Sequence, residues 1–224
     1  MIIKDWMTTD VITIDPEASM MRAAKLMKEK GIRRLPVIDA KGNVVGIISD
    51  RDIKEASPSK ATTLDVHELY YLLSEIKVKN IMTPNPMTIR DTDTVVKCAA
   101  IMHDKKLSGL PVLNDRNELV GIMTQNEVYR VLLSITGVYH GGVQIGFTLP
   151  DERGSLKEVL DCLRRHKARV ISVLTSYDQV ESGFRKVFIR IMDMDKSALN
   201  ELRQELNEKY GLEFWVRDAI NPIS

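Results

Sequence analysis

The chain has 224 residues, 44% hydrophobic and 28% charged, a balance that is typical of globular proteins and excludes wholesale disorder. Lysine and arginine total 32 against 31 for aspartate and glutamate, so the formal charge of +1 gives no general field for nucleic acid or an anionic membrane. We expect neither partner. No run of 18 apolar residues and no signal-peptide core is seen, which favours a soluble, cytoplasmic protein.

The first part of the chain contains the same sequence twice. Residues 3–53 align without a gap onto residues 78–128, at a constant offset of 75 residues. Identical pairs include Met7/Met82, Thr8/Thr83, Leu35/Leu110, Pro36/Pro111 and Gly46/Gly121. This offset exceeds the roughly 20–50 residues of a solenoid unit, so the pattern predicts two copies of one small domain.

Each copy predicts the element order β-α-β-β-α. A short strand precedes an amphipathic helix that Gly31 ends in the first copy, then two strands flank a polar turn, and a second helix begins at Ser49 or Thr124. The predicted strands are Val11–Ile14, Leu35–Ile38 and Val44–Ile48 in the first copy, and Met87–Ile89, Leu110–Leu113 and Leu119–Met123 in the second. Between the copies, residues 57–63 predict a loop and residues 66–76 a connecting helix.

Beyond Leu133 the repeat ends, and residues 136–142, with three glycines, predict a linker. The remainder predicts the order β-α-β-β-α-β, which is the ferredoxin-like arrangement. Its predicted elements are strands Val143–Leu149, Arg169–Tyr177, Arg185–Met192 and Glu213–Val216, with helices Ser155–His166 and Ala198–Tyr210.

Motifs in the two copies resemble those of a known family. Each copy has Met-Thr near its start and Leu-Pro-Val in its middle, and the copies end in Gly-Ile-Ile-Ser-Asp-Arg-Asp52 and Gly-Ile-Met-Thr-Gln-Asn-Glu127. This pattern resembles tandem cystathionine-β-synthase-type (CBS) domains, which together form a Bateman module. The C-terminal part resembles an ACT domain through its strand order and through Asp151-x-x-Gly154-x-Leu156. The combination is similar to acetoin-utilization B-type proteins.

The resemblance implies an α/β (α+β) fold, with two CBS domains forming a Bateman module and a ferredoxin-like ACT domain. It places CBS domain 1 with the connecting helix at residues 1–77, CBS domain 2 at 78–136 and the ACT domain at 142–224. Val187, Ile189 and Ile191 alternate along a strand of the ACT sheet, so an edge or face of that sheet is expected to pair with a second copy as a homodimer.

Ser49 and Asp52 stand where a strand turns into a helix and have two interpretations. They can form an N-cap, in which the hydroxyl and carboxylate satisfy the start of the helix. The resemblance implies instead that Asp52 accepts hydrogen bonds from the two ribose hydroxyls of a nucleotide, and both roles can hold together. Thr124 and Glu127 offer the same alternatives in the second copy, although Glu127 is one methylene longer than the family's aspartate.

Arg33 and Arg34 directly precede Leu-Pro-Val, where the resemblance implies basic residues that reach the phosphates of the nucleotide. A planar guanidinium suits that role because it can pair with two oxygens. The alternative is a solvated surface pair. The second copy has Ser108-Gly109 at this position, so its half-site is expected to hold phosphate weakly or to be empty.

The turn before the first helix of the C-terminal part also has two interpretations. Gly154 can serve only a tight turn, together with Asp151. The resemblance implies that such a turn presents backbone groups to an amino acid at a subunit interface, where the N–H groups of Ser155 and Leu156 would suit a carboxylate.

No catalytic motif and no metal-ligand spacing stands out, and Cys98 and Cys162 are expected to be buried as small hydrophobic residues. We therefore expect a non-enzymatic regulatory protein with no metal and no catalytic cofactor. The resemblance implies an adenine nucleotide (AMP, ADP or ATP) as regulatory ligand in the CBS pair, and the ACT domain adds an amino acid as a further candidate. The alternative is a ligand-independent interaction protein for an acetoin-utilization or acetyl-CoA-related enzyme.

Overall fold

The structure is a computed structural model that describes residues 1–57 and 74–217. The chain divides into two compact units, Met1–Tyr129 and Arg130–Ser224. Most of the connecting helix predicted at residues 66–76 lies outside the described residues.

The first repeat consists of α1 (Met20–Lys30), β1 (Arg34–Ile38), β2 (Val44–Ser49) and α2 (Asp50–Ala56). Helix α1 ends as predicted at Gly31, which adopts the left-handed conformation with φ 63°. Strands β1 and β2 pair antiparallel and form the hairpin predicted for the middle of the copy.

The second repeat has the same α-β-β-α order after three further short elements, and its last helix is longer. Its elements are α3 (Val78–Ile81), β3 (Thr83–Pro84), β4 (Ile89–Arg90), α4 (Val95–Lys105), β5 (Gly109–Leu113), β6 (Leu119–Thr124) and α5 (Gln125–Thr136). Two three-stranded sheets result, with orders β1-β2-β3 and β4-β5-β6. Helix α5 crosses the boundary between the two units.

The two repeats exchange their first residues. Thr83 of the second repeat pairs with Ile47 in β2 of the first, and Thr8 of the first repeat pairs with Ile122 in β6 of the second. The two pairs are equivalent, because Thr8 and Thr83 occupy the same position in the repeat and so do Ile47 and Ile122. Each repeat therefore completes its sheet with a residue of the other, which joins the repeats into one unit.

This exchange explains why one predicted strand is wrong in its extent. The sequence predicts a strand over Val11–Ile14, but within it only Ile14 forms a bridge, parallel to Val37. The chain pairs with the other repeat at Thr8 and returns to its own sheet at Ile14, so the residues between them have no strand beside them. In the second repeat, the strand predicted over Met87–Ile89 is also wrong in its extent, because the strand found there, β4, consists of Ile89 and Arg90 and pairs parallel to β5.

The second unit has the predicted element order β-α-β-β-α-β. Its elements are β7 (Val143–Pro150), α6 (Ser155–Arg165), β8 (Val170–Ser176), β9 (Phe184–Ile191), α7 (Lys196–Tyr210) and β10 (Leu212–Arg217). The four strands form one sheet in the order β10-β7-β9-β8, with every neighbouring pair antiparallel.

The core of this unit lies between the sheet and its two helices. Alternate residues of β7 and β9 pack with the apolar face of α6 and of α7. Val187, Ile189 and Ile191 are fully buried in this core. Their own side chains therefore do not face a second copy, and the expected pairing of an edge or face of this sheet stays a prediction.

Buried Arg190 lies on β9 and binds the predicted linker segment on the face of the sheet opposite the core. Its guanidinium donates to the carbonyl oxygens of Thr136 and Gly141, each at 3.1 Å, and to Oε1 of Gln144 at 2.9 Å. These hydrogen bonds attach the end of α5 and the predicted linker to the second unit. The boundary between the units therefore lies before the linker, after Tyr129.

Cys98 and Cys162 are buried and form no disulfide, as predicted. Burial, with a smaller contribution from Asp93, raises the pKa of the Cys98 thiol to about 11. Among the described residues, no helix combines the length and apolar character that crossing a membrane requires.

Candidate functional site

The first unit contains a cleft of about 410 Å³ that both repeats line. This volume falls within the roughly 300–1,000 Å³ of small-molecule sites. The first repeat contributes Thr8, Asp10, Val11, Ile12, Gly31, Ile32, Arg33, Arg34 and Pro36, and the second contributes Ser108, Ile122, Thr124, Gln125, Asn126 and Glu127.

One side of the cleft is the start of helix α5. The Glu127 carboxylate folds back onto this start, where Oε2 accepts from the backbone N–H of Thr124 at 2.9 Å and from its hydroxyl. Its other oxygen, Oε1, accepts from the hydroxyl of Thr8 at 3.2 Å. The capping interpretation of Thr124 and Glu127 thus describes their local contacts, and Glu127 also joins the two repeats across the cleft.

The two predicted arginines occupy different environments in the cleft. Arg33 is exposed, whereas Arg34 is half-buried and donates to the hydroxyl of Ser108 at 2.7 Å and to the Ser108 carbonyl. Burial lowers the pKa of Arg34, and the nearby carboxylates of Asp50 and Glu127 oppose that shift. The side chain remains charged because arginine does not deprotonate in proteins.

Gly109 explains how Arg34 reaches Ser108. A Cβ on Gly109 would lie 2.6 Å from Nη1 and 2.8 Å from Cδ of Arg34. The arginine therefore lies across the bare backbone of the second repeat. Gly109 occupies the position in the second repeat that Arg34 occupies in the first, and the Arg34 side chain passes over this glycine.

Ser49 and Asp52 form the equivalent cap at the start of α2. Ser49 donates to Oδ2 of Asp52 from its backbone N–H and from its hydroxyl, both at 2.7 Å, while the Ser49 hydroxyl accepts from the Asp52 N–H. Neither residue lines the cleft that contains Arg33 and Arg34.

In the sequence, Arg33 and Arg34 belong to the same copy as Asp52, but the structure brings these arginines together with Thr124 and Glu127 of the other repeat. The exchange of the first residues between the repeats explains the difference, because it sets the helix start of one repeat beside the strand of the other.

The cleft combines three kinds of surface. Arg33 supplies positive charge, the start of α5 supplies backbone N–H groups and the Glu127 carboxylate, and Val11, Ile12 and Ile122 supply apolar wall. Sequence reasoning missed the contribution of Asp10–Ile12, since it assigned most of this segment to a strand. Thr8 had a signal, because it repeats as Thr83, but the repeat alone does not say which side chain it meets.

The predicted turn in the second unit gathers a small polar cluster. Asp151 accepts from the Tyr177 hydroxyl at 3.3 Å and forms an ion pair with Arg185 at 3.5 Å. The Ser155 hydroxyl donates to the Pro150 carbonyl at 2.7 Å.

The backbone of this turn supports its structural interpretation. Gly154 has φ 99°, a conformation that side chains rarely adopt, and it directly precedes helix α6. The Leu156 side chain packs against the core, so only its backbone N–H remains available for the predicted role.

Comparison with known proteins identifies the repeated part. The CBS domain family model matches residues 3–59 and 78–134. A CBS domain-containing protein of Dictyostelium discoideum is 34% identical over 134 residues, which are 60% of this chain and 92% of that protein.

Solved structures of CBSX2, a CBS-pair protein from Arabidopsis thaliana, resemble the same part. One is 29% identical, covers 61% of this chain and 96% of its own, and has a TM-score of 0.53. Another, of CBSX2 in complex with AMP, is 32% identical, covers 60% of this chain and 97% of its own, and has a TM-score of 0.49.

Some enzymes match over a small part of their length. Homoserine O-acetyltransferase of Methanosalsum zhilinae is 32% identical over 58% of this chain, but the match covers only 24% of the enzyme. The CBS family model, in contrast, matches both copies of the repeat at the positions where the repeat was found. The chain therefore belongs to the CBS-domain family, and residues 3–59 and 78–134 are its tandem CBS domain pair.

Proposed function

We propose that this chain is a non-enzymatic regulatory protein that binds an adenine nucleotide in the cleft between its CBS domains. The observation that carries the proposal is the cleft itself, which sets the exposed Arg33 of one domain beside the capped helix start at Thr124–Glu127 of the other. CBSX2, whose fold resembles this CBS pair with a TM-score of 0.53, has been crystallised in complex with AMP, which supports the choice of ligand.

The three surfaces of the cleft suit the three parts of a nucleotide. The ribose hydroxyls donate to Oε1 of Glu127 and replace the Thr8 hydroxyl that this atom now accepts at 3.2 Å. Arg33 pairs with the phosphate, since a guanidinium binds phosphate oxygens in pairs. Adenine lies against the apolar wall that includes Ile12 and Ile122.

Arg34 has a different part in this proposal. Because Ser108 already occupies its guanidinium, Arg34 fixes the geometry of the cleft and adds positive potential, while Arg33 makes the direct phosphate contact. Of the two predicted phosphate ligands, Arg33 therefore contributes more to affinity.

Ser49 and Asp52 belong to a second, unequal site in this proposal. The equivalent site, with the roles of the two repeats exchanged, has Ser49 and Asp52 in place of Thr124 and Glu127, and Ser108 in place of Arg33. The second site keeps a carboxylate for ribose but loses the charge that binds phosphate. We expect it to bind the nucleoside part with little preference for phosphate.

The second unit is proposed to be an ACT domain that binds an amino acid at Asp151, Gly154, Ser155 and Leu156. Its element order and its strand order β10-β7-β9-β8 support that assignment. Within the described residues, edge strand β8 pairs with β9 on one side and with no strand on the other, which leaves an edge for a second copy, and we infer a homodimer.

A thermal-shift panel of AMP, ADP, ATP, S-adenosylmethionine and adenosine on the full chain tests the proposed ligand. At 100 times its Kd, a ligand stabilises the protein by about 2.7 kcal/mol, which is readily detected. We expect the phosphorylated ligands to stabilise the wild-type chain more than adenosine does, and Arg33→Ala to remove that difference. Arg116→Ala, an exposed arginine outside the cleft, is the matched control.

The panel also separates the proposal from the alternative. No shift with any adenine compound would overturn the nucleotide proposal and favour a ligand-independent interaction protein for an acetoin-utilization or acetyl-CoA-related enzyme. A shift that is equal in wild type and Arg33→Ala would retain adenine binding but move the phosphate away from Arg33.

A further inference from the structure

A group of three metal-binding residue types lies between the two helices of the second unit. Cys162 lies on α6, and His166, four residues later, is the residue that caps the C-terminal end of this helix, so the two share one face. Glu205 faces them from α7. One ligand atom of each residue, the cysteine sulfur, an imidazole nitrogen and a carboxylate oxygen, lies within 4.8 Å of both others.

The group is accessible from one side. Cys162 is fully buried, whereas the side chains of His166 and Glu205 remain 20% and 23% exposed. His166 Nε2 and Glu205 Oε2 are already 2.6 Å apart. A cation from solvent can therefore meet the imidazole and the carboxylate first, with the sulfur behind them.

The carboxylate of Glu205 is held in place by its other oxygen. Oε1 accepts from Arg165 and from Lys209, each at 2.7 Å, so Oε2 is the atom that faces the rest of the group. These two contacts orient the carboxylate, as hydrogen-bond partners do for a metal ligand.

We propose that Cys162, His166 and Glu205 bind one Zn²⁺ ion, with water as the fourth ligand. A thiolate, an imidazole and a carboxylate form a mixed donor set that suits tetrahedral zinc. Zinc bonds of about 2.0–2.3 Å place tetrahedral ligand atoms about 3.4–3.6 Å apart. The imidazole and carboxylate must separate by about 1 Å, and a sulfur at the 4.8 Å limit must approach by a similar distance, which side-chain rotation can provide.

Binding has a defined proton balance. The Cys162 thiol releases its proton to solvent and becomes the thiolate that bonds to zinc. The hydrogen bond between His166 and Glu205 breaks, and the Nε2 proton that makes it moves to Nδ1 of a neutral imidazole, or to solvent if the imidazole is doubly protonated. The bare Nε2 and the Glu205 Oε2 then bond to the metal. Arg165 and Lys209 remain on Oε1, where their positive charges weaken the affinity for a cation but keep the carboxylate in position.

The same contacts allow a simpler interpretation. Arg165 at the end of α6, the C-cap residue His166 and Lys209 on α7 surround Glu205 and can link the two helices without any metal. This ionic link makes no use of the Cys162 sulfur as a ligand. Removing the sulfur atom therefore distinguishes the two interpretations.

Cobalt titration of the full chain, first stripped with a chelator, tests the zinc site. We expect one equivalent of Co²⁺ to give the intense thiolate-to-cobalt charge-transfer absorption, which Zn²⁺ then abolishes by displacement. Cys162→Ser should remove this absorption, while Cys98→Ser, the other buried cysteine, should retain it. Failure of the wild-type chain to give the absorption, or its persistence in Cys162→Ser, would overturn the proposal and leave the ionic link.

A second measurement does not depend on how well Cys162→Ser folds. In the Cys98→Ser chain, Cys162 is the single cysteine, and its alkylation can be followed by mass spectrometry. Zn²⁺ should slow this alkylation at least several-fold in Cys98→Ser, and less when Glu205→Gln is added. Equal rates with and without Zn²⁺ would contradict the site.

Discussion

At the scale of single residues, two identical pairs in the repeat have a common explanation. A Cβ on Gly46 would collide with the side chain of Met82, and a Cβ on Gly121 would collide with the side chain of Met7. The methionine of each repeat thus packs on the bare backbone of a strand of the other repeat, β2 for Met82 and β6 for Met7. Methionine and glycine recur in both copies because each pair forms one contact between them.

Gly46→Ala tests this contact. We expect it to lower the free energy of unfolding by about 1–3 kcal/mol, the usual cost of forcing extra atoms into a packed contact. All three of the nearest atoms to the added Cβ belong to the Met82 side chain, so Met82→Ala should relieve most of that cost. Urea denaturation of the two single variants and the double variant measures the coupling. An equal cost of Gly46→Ala in both backgrounds would contradict the packing described here.

Alanine substitutions of Arg34 and of Arg33 should change the free energy of unfolding by different amounts. Arg34→Ala removes the hydrogen bonds to Ser108 and should lower the free energy of unfolding by about 1.5–3 kcal/mol, the range for bonds to charged groups. Arg33→Ala removes an exposed side chain and should change it by less than about 0.5 kcal/mol. Urea denaturation measures both values. Similar values for the two variants would show that the Ser108 contact does not join the repeats.

At the scale of elements, the caps of α2 and α5 belong to the structure whether or not a ligand binds. Ser49→Ala should destabilise the protein by about 1 kcal/mol, because it leaves the start of α2 without its side-chain acceptor. Ser49→Asn should cost much less, since asparagine caps as well as serine. Thermal or urea unfolding compares the two, and an equal loss in both variants would argue against the cap.

Elements whose pattern is local could be predicted from the sequence. Helix α1 ends at Gly31, and the β1–β2 hairpin forms where alternating apolar residues flank a polar turn. Of the strand predicted at Val11–Ile14, Ile14 alone forms a bridge, because a strand depends on its neighbour and Thr8 takes a neighbour from the other repeat. The sequence period of 75 shows which residues are equivalent, but not that the copies exchange partners.

The same limit applied to the candidate site. Thr124, Glu127, Arg33 and Arg34 could be named from their motifs, yet their grouping depends on which repeat's helix faces which repeat's strand. The cluster of Cys162, His166 and Glu205 was missed for a related reason. Cys162 and His166 lie four residues apart, a separation that any two residues on one helix face share. Glu205 comes from a helix about 40 residues later in the chain, so no local sequence pattern joins all three.

At the scale of the whole molecule, the proposed homodimer has a direct test. The chain mass is 25.4 kDa, so light scattering at micromolar concentration should give about twice this value. Lys or Pro introduced into the exposed edge strand β8, for example at Val170, should shift the protein toward the monomer if this edge forms the interface. A mass equal to that of one chain for the wild-type protein would rule out the dimer.

Isothermal titration of the full chain with AMP and with adenosine, in wild type and in Arg33→Ala, tests the central claim most directly. We predict that AMP binds the wild-type chain more tightly than adenosine does, and that Arg33→Ala weakens AMP binding about tenfold or more while it leaves adenosine affinity nearly unchanged. Arg116→Ala should behave as wild type. An AMP affinity that Arg33→Ala does not alter, or no AMP binding at all, would contradict the account.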